Sequence, residues 1–213
     1  MEKGFSVLEL LVAITIVGVL ASFTMPAFNA IGGAQSVSQG IYDVSSLLEL
    51  AREEAITRQT YVWVGFQNIE VNGGRELWMA AVSSRDGTDN TSPNNLTPLT
   101  RIVKIKNVAL SPWSNLKTDT RRLYVGGSPA SIAENSSGVS FSVGPTGFSD
   151  HTVTFTPGGQ AMLTGSPGLD GGYDPLMEIS FRQLRGGTVS DSADDAAIFL
   201  NGSTGTTRIL RLE

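Results

Sequence analysis

The feature that most restricts this chain of 213 residues is a long apolar run near its start, MEKGFSVLELLVAITIVGVLASFTMPAF. Between Phe5 and Phe23 the only ionisable side chain is Glu9. A helix rises about 1.5 Å per residue, so the stretch from Phe5 to Met25 reaches roughly 30 Å, the thickness of a hydrocarbon core. We therefore expect a helical anchor that contains a carboxylate, which is costly in a membrane unless another group compensates it.

Three interpretations of this run are open from the residues. A cleaved signal peptide has a basic start and an apolar stretch of about 7–15 residues, whereas here Glu2 offsets Lys3 and the run is longer. A plain transmembrane anchor fits the length, and Lys3 favours a cytoplasmic N-terminus, but it leaves Glu9 unexplained. A processed leader is the third interpretation, and the order Gly4-Phe5-x-x-x-Glu9 favours it.

That order, together with the Leu-Leu-Val-Ala-Ile run and Pro26, resembles the leader of type IV pilins and pseudopilins. The resemblance implies that residues 1–4 are a leader, that a prepilin peptidase cuts between Gly4 and Phe5, and that the same enzyme N-methylates Phe5. It also implies that Glu9 pairs with the N-terminal amine of a neighbouring subunit in a filament. This role agrees with the physics, because an unpaired carboxylate is costly inside an apolar bundle.

A helical pattern continues beyond the predicted transmembrane and filament-core helix, residues 5–26, into an amphipathic stem, residues 27–60. One face of the stem is charged, and the other carries apolar residues every three or four positions. This stripe consists of Ile41, Val44, Leu48, Ala51 and Ala55. Pro26 and the pair Gly32-Gly33 lie between the two parts. We expect a helix kink at Pro26 and a bend or local melting at the glycines.

From Tyr61 the apolar period changes to two, which predicts a β-rich head over residues 61–213. Tyr61–Val71 and Glu76–Val82 read as a hairpin around Asn72-Gly73-Gly74. Further strands are predicted at Arg101–Val108, Arg122–Val125, Val139–Val143, Thr152–Thr156, Gln160–Thr164, Met177–Phe181, Ala196–Leu200 and Arg208–Leu212. The polar segments Ser83–Pro98 and Gly165–Pro175 are predicted to be long surface loops. The fold class is therefore α+β, a pilin-like long N-terminal helix packed on an antiparallel β-sheet domain.

The segment Leu47–Val64, LLELAREEAITRQTYVWV, resembles the H-type minor pseudopilins of type II secretion and the FimT-like minor pilins, as does Phe155–Gly159, FTPGG. The resemblance implies a structural, non-enzymatic subunit, anchored once in the bacterial inner membrane with a cytoplasmic N-terminus and a periplasmic head. It would leave the membrane lipid, join other pseudopilins at an inner-membrane assembly platform, and form a short filament that supports protein export. The alternative is a minor pilin for pilus priming, adhesion or DNA uptake.

Composition removes several kinds of chemistry. The chain has no cysteine, which excludes thiolate nucleophiles, zinc–thiolate sites and iron–sulfur clusters. Because the chain has one histidine, His151, sites that need two are excluded. No nucleophile motif accompanies it, so we expect neither catalysis nor a cofactor.

The net charge of -5 gives no broad basic surface for nucleic acid. Arg182, Arg185, Arg208 and Arg211 could form a local basic patch, but on one strand Arg208 and Arg211 point to opposite faces.

Two further patterns could indicate a ligand. Asp170 and Asp174 lie four apart in a glycine-rich loop, and oxygen-rich loops can hold calcium. Their spacing does not match an EF-hand, so we predict no metal and keep both as calcium candidates only. The aromatic residues Tyr61, Trp63, Trp78 and Trp113 could form a sugar platform, but aromatic residues at alternating strand positions more often pack in the sheet.

Overall fold

The structure, a computed structural model, describes residues 7–71, 73–122, 124, 129–134, 139–163, 176–185, 188–189 and 194–211. Side chains are described for these residues except 21–36 and Arg185. A long N-terminal helix, α1 (Val7–Arg58), leads into a head built of β-strands and a short helix, α2 (Thr118–Arg122). The predicted α+β class, with a long helix packed on antiparallel sheet, is therefore confirmed.

The backbone of α1 is helical over 52 residues without a break. It passes through Gly32 and Gly33, so the predicted local melting there is wrong. Propagating a helix adds one hydrogen bond per residue, whereas melting it at the glycines would create two new ends, and this outweighs a glycine cost of about 1 kcal/mol each. The helix also continues through Pro26, whose side chain is not described, and a kink at Pro26 stays a prediction.

The stem ends at Arg58 in a Schellman motif. Gln59 takes a positive φ of 52°, the Gln59 N–H donates to the Ile56 carbonyl, and the Thr60 N–H donates to the Ala55 carbonyl at 3.0 Å. The Arg58 guanidinium lies 2.6 Å from the Glu54 carboxylate, and a cation at this end complements the helix dipole. The chain then turns sharply into the first strand.

Within the described residues, the head contains two large sheets and a small hairpin. The strands are β1 (Val62–Val71), β2 (Gly74–Ser84), β3 (Leu96–Pro98), β4 (Val103–Lys106), β5 (Val108–Leu110), β6 (Ala130–Ser131), β7 (Phe141–Val143), β8 (Thr146–Phe148), β9 (Thr152–Phe155), β10 (Ala161–Met162), β11 (Leu176–Arg185), β12 (Thr188–Val189), β13 (Asp195–Asn201) and β14 (Thr207–Leu210). The first sheet has the order β10-β9-β1-β2-β3, with β4 also paired to β2. The second sheet has the order β12-β11-β13-β14, with β5 and β6 paired to β11. Strand β6 runs parallel to β11.

The predicted stripe of the stem is confirmed. All five of its residues are buried, with Ile41 2% exposed and the others 0%. They form one core cluster with inner-face residues of both sheets, such as Val64 of β1 and Ile179 of β11. The helix therefore closes the core that the two sheets share.

The hairpin β1–β2 is confirmed, with Val62 opposite Ser83 and Val71 opposite Gly74. Its turn includes Gly73 at a φ of +78°, a conformation that glycine adopts without steric cost. The predicted turn between β9 and β10 is also present, because the Gly159 N–H donates to the Thr156 carbonyl at 2.8 Å.

Two strand predictions and one loop prediction need correction. Arg101–Val108 is not one strand, because Asn107 takes a φ of 57° and sends β4 to the first sheet and β5 to the second. Asparagine tolerates this left-handed conformation better than most residues. Arg122–Val125 is not a strand at its start, because Arg122 is the last residue of α2. The predicted loop Ser83–Pro98 is shorter than expected, since its ends belong to β2 and β3.

The small hairpin β7–β8 covers the outer face of the first sheet. Phe141 and Phe148 stack with ring centroids 5.3 Å apart and lie over Gly65 of β1. A Cβ at Gly65 would lie 2.7 Å from the Phe148 Cβ, so this position needs glycine for close packing. Trp63 and Val82 complete this outer cluster.

The turn between β13 and β14 provides a stability test at Gly205. A Cβ there would overlap the Gly159 carbonyl and lie 3.0 Å from the Arg52 Cδ, and Gly205 has a φ of +66°. Gly144 has a similar φ of +58° but nothing within 4 Å of its added Cβ. We predict that Gly205→Ala costs more than about 3 kcal/mol of unfolding free energy, whereas Gly144→Ala costs only about 1 kcal/mol from its dihedral. Denaturant unfolding followed by tryptophan fluorescence measures both, and equal losses would contradict the packing argument.

Candidate functional site

The start of α1 is an exposed apolar surface. Over residues 7–20 every side chain is exposed, with Val7 at 82% and Leu20 at 60%. Soluble chains rarely leave a contiguous apolar surface of this kind uncovered. Among the described residues, no helix reaches the combined length and hydropathy required to cross a membrane. The surface is therefore presented to something other than this chain's own head.

Glu9 is the only charged side chain on this surface. It lies in the first turn of α1, where a negative charge is favoured by the helix dipole. The described part of the chain provides no ion-pair partner for it. Thr15, the other polar group nearby, donates its hydroxyl to the Val12 carbonyl at 2.8 Å and so is satisfied within the helix. Glu9 is thus the group on this surface that an external cation would compensate.

A set of polar contacts fixes the end of the head to the stem. The Arg52 Nε donates to the Thr204 carbonyl at 2.7 Å, and the Thr207 hydroxyl donates to Glu49 at 3.2 Å. Arg211 donates to the Ser38 hydroxyl and lies 3.7 Å from Asp194. These contacts run from residue 38 to residue 52 along the helix, so the stem and the final strand move together.

The outer face of the second sheet is covered by a segment that we call the cap, residues 111–122 and 124. Trp113 and Tyr124 pack on Phe199 of β13, with ring centroids 5.4 Å and 4.7 Å away. Asp195 fixes the cap from below, because its carboxylate accepts hydrogen bonds from the Lys117 N–H at 2.5 Å and the Thr120 hydroxyl at 2.6 Å. Charge-assisted hydrogen bonds of this kind are among the stronger ones in a protein.

Glu178 of β11 is fully buried beneath the same cap. The Ser180 hydroxyl donates to its Oε2, and the strand pairs Glu178 with Ser131 of β6. Burial raises the pKa of Glu178 from 4.5 to about 7, with a small further contribution from the charge of Glu134. A carboxyl in this position is therefore held partly protonated near neutral pH.

The loop between β2 and β3 is held by a compact polar network. Asp86 accepts hydrogen bonds from the Thr88 hydroxyl at 2.7 Å and from the Asn95 side chain at 2.8 Å. The hydrogen bonds from Thr88 are the largest cause of a pKa of Asp86 well below its usual range. The sequence suggested only an irregular surface loop here, and the buried Asn95 had no signal in the pattern.

The structure places the other sequence candidates apart from one another. The His151 Nδ1 lies 2.8 Å from the Ile132 carbonyl, a contact between the residue before β9 and the residue after β6, and not part of a catalytic set. Arg208 is exposed on β14, whereas Arg211 faces Ser38 of the stem. The side chain of Arg185 is not described.

Four predicted site residues lie outside the described part of the chain. Gly4, Phe5, Asp170 and Asp174 are not described, so the cleavage site and the calcium candidates stay predictions. Among the described residues, no group of three or more metal-ligating side chains is present.

The aromatic residues pack as expected. Trp63 is fully buried, and Trp113 packs against Phe199. Trp78 lies beneath Lys104, whose Nζ is 3.8 Å from the ring centroid.

A long helix with an exposed apolar start, a lone carboxylate near its beginning and a β head packed on its second half define a type IV pilin-like protein. The prokaryotic N-terminal methylation motif matches residues 1–25. The family described as Type II transport protein GspH matches residues 42–172, more than half of the chain, so the chain belongs to the GspH family. The family is a structural one, and together with the leader motif it indicates a membrane-anchored periplasmic protein.

The chain is also similar to fimbrial proteins. It is 26% identical over 98 residues to the Type IV major fimbrial protein FimA of Dichelobacter nodosus (strain VCS1703A). The aligned residues are 46% of this chain and 60% of that protein. Another FimA of Dichelobacter nodosus is 39% identical over 41 residues, 19% of this chain and 26% of that protein. The chain thus spans at most 60% of the length of these curated relatives. No solved structure matches the chain.

Glu178 gives a prediction about pH. Its folded pKa of about 7 lies above the unfolded value of 4.5, so the folded chain binds more protons than the unfolded chain between these values. The stability that protonation of Glu178 supplies is complete below about pH 4.5 and is lost as the pH rises to about 7. We predict that the unfolding free energy of the wild type falls by roughly 2 to 3 kcal/mol between pH 5 and pH 8 because of Glu178. The Glu178→Gln variant should lack this fall.

Denaturant titrations at several pH values measure this difference. The exposed Glu53→Gln is the matched control, since it removes a carboxylate of the stem without touching the cap. A decline that is the same in the wild type and in Glu178→Gln would rule out Glu178 as its source.

Proposed function

We propose that this protein is a structural minor subunit of a type II secretion pseudopilus, a short periplasmic filament that supports protein export. The observation that carries the proposal is the exposed apolar start of α1 with Glu9 on it, continued by an unbroken helical backbone into a stem that is buried in the head. The match to the GspH family supports it. The subunit does no chemistry of its own, and its task is to pack into a filament.

In this proposal residues 1–4 are the leader, residues 5–26 form the transmembrane and filament-core helix, residues 27–60 form the stem, and residues 61–213 form the head. Prepilin peptidase cuts between Gly4 and Phe5 and methylates the new amine of Phe5, and the match to the methylation motif supports this step. The N-terminus starts on the cytoplasmic side of the inner membrane and the head lies in the periplasm. Assembly then moves the apolar helix from lipid into contact with other pseudopilins at the inner-membrane platform.

Glu9 gives this assembly its register. Cleavage creates a positive amine at Phe5, and a neighbouring subunit's Glu9 compensates it in the filament core. An isolated carboxylate among apolar helices costs several kcal/mol, whereas the pair removes both unpaired charges at once. Because Glu9 has no ion-pair partner in the described chain, it is available for this contact.

The first test is the N-terminus of the mature protein. We predict that protein extracted from membranes begins at N-methylated Phe5, as Edman sequencing or intact mass spectrometry would measure. An intact Met1, or a cut beyond Ser22, would contradict the leader assignment.

The second test is Glu9→Leu. We predict that the variant is still cleaved and inserted in the membrane but enters filaments at less than about a tenth of the wild-type level, because the N-terminal amine of its neighbour is left unpaired. Co-purification with the other pseudopilins and the amount of exported substrate measure this. Glu53→Leu, an exposed carboxylate of the stem, should assemble normally. Normal assembly of Glu9→Leu would remove the role given to Glu9.

A second candidate function is a minor type IV pilin for pilus priming, adhesion or DNA uptake. The similarity to the fimbrial protein FimA favours it, over less than half of this chain. Retention of DNA that weakens steeply with salt would support DNA uptake. Loss of protein export after deletion of the gene, without loss of pili, would support the pseudopilus instead.

A further inference from the structure

An open cleft of about 810 Å³ lies on the side of the head away from the stem stripe. One wall is the hairpin β7–β8, the opposite wall is β3 with residues 90–93 of the preceding loop, and the floor is Gln67 and Val82 of the first sheet. The volume falls within the range of about 300–1,000 Å³ that is typical of small-molecule sites. No residue of α1 lines this cleft.

The described lining of the cleft carries no charged side chain. This is unusual on a chain with 15 basic and 20 acidic residues. The polar side chains are the amides of Gln67 and Asn90 and five hydroxyls, from Thr91, Ser92, Ser140, Ser142 and Ser149. The Ser92 hydroxyl already donates to the Asn90 Oδ1 and the Ser149 hydroxyl to Asp150, so these two can only accept from a ligand. A wall of this composition offers hydrogen bonds but no counter-charge, so it fits an uncharged ligand with many donors and acceptors and not a phosphate or a nucleic acid.

The floor contains an acceptor that the protein leaves without a partner. The Gln67 Oε1 is buried, and no donor in the described chain reaches it. Buried polar atoms in proteins are nearly always hydrogen-bonded, and a turn of the half-buried Gln67 side chain toward the cleft would bring this acceptor to a ligand. A ligand hydroxyl would meet this need.

The wall formed by the loop is held in place by contacts that need no ligand. The Asn95 side-chain nitrogen donates to the Asp86 carboxylate at 2.8 Å and to the Asn90 carbonyl at 2.9 Å. The Ser92 N–H donates to the Asn90 Oδ1 at 3.0 Å. A wall that is already ordered binds with a smaller loss of conformational entropy.

The apolar part of the lining distinguishes a sugar from a peptide. Pro93, Leu96 and Pro98 lie on one side of the cleft and offer flat, saturated surfaces. Pro98 has no N–H, so an extended peptide could not form a complete main-chain ladder along β3. The apolar face of a sugar ring requires no such ladder.

We propose that this cleft binds an uncharged saccharide. The hydroxyls of the two walls bond the sugar hydroxyls, the Gln67 Oε1 accepts from one of them, and the prolines contact the apolar face of a ring. Phe141 and Phe148 stack on each other and are almost fully buried, so they shape the wall and do not stack on the sugar. The proposal does not depend on filament assembly.

The test uses the full chain in a zwitterionic detergent without a sugar headgroup, because a maltoside would compete for the cleft. Cellotetraose, maltotetraose and the tetramer of N-acetylglucosamine are titrated separately and followed by NMR. We expect at least one of them to shift the Gln67 side-chain amide and the backbone amides of residues 90–92 and 140–149. The side chain of Ser140 is exposed, so Ser140→Trp should fill the mouth without disturbing the core and weaken binding at least tenfold.

Ser203→Trp, an exposed serine in the turn between β13 and β14, is the matched control and should bind as the wild type does. Gln67→Leu, which removes the unpaired acceptor, should also weaken binding about tenfold. If Ser140→Trp fails to fold, the exposed Ser142 provides a second blocking variant, Ser142→Trp.

Three results would overturn the proposal. One is the absence of binding by all three tetrasaccharides at millimolar concentration. Another is binding that the blocking variants do not change. The third is tighter binding at the same amides by a sulfated tetrasaccharide or by an extended peptide, which would show that the occupant is charged or is a polypeptide.

Discussion

The head depends on one interaction, the burial of the apolar stripe of the stem between the inner faces of two sheets. Val44, Leu48 and Ala51 are fully buried, and each large aliphatic side chain buried this way contributes about 1.5–3 kcal/mol. Alanine at positions 51 and 55 keeps the helix close to the strands. Without the stem, β1 and β11 would expose their inner faces to water, so the helix is part of the head's core and not an appendage to it.

The same helix therefore works in two environments. Its second half is enclosed by the head, whereas residues 7–20 expose apolar side chains along the whole surface. Because the backbone of α1 is continuous and Arg52 and Thr207 join the stem to the last turn and the last strand, we expect a displacement of the helix start to be transmitted to the head. In the proposed function the subunit is drawn out of a membrane, and this connection suits that task, since a flexible joint at the head would let the helix move alone.

Sequence periodicity predicted the elements in which buried residues recur at a regular interval within one segment. The stem stripe and the β1–β2 hairpin were recovered because each apolar face repeats at a fixed interval within one segment. The errors lie where a non-local contact decides the conformation. Asn107 divides a β pattern between two sheets, and α2 forms where Thr120 bonds Asp195, 75 positions further along the chain. No local pattern contains such a contact.

The buried carboxylates Glu178 and Asp195 also could not be predicted from a local sequence pattern. In the run Met177-Glu-Ile-Ser-Phe the polar residues alternate with apolar ones, so Glu178 looks like a solvent-facing position of a half-buried strand. The cap covers that face and turns an ordinary surface carboxylate into a buried one. Asp195, under the same cap, is compensated by two hydrogen bonds from Lys117 and Thr120, whereas Glu178 is compensated chiefly by holding its proton. We therefore expect the attachment of the cap to depend on pH through Glu178, whereas the apolar burial of the stem stripe involves no titrating group.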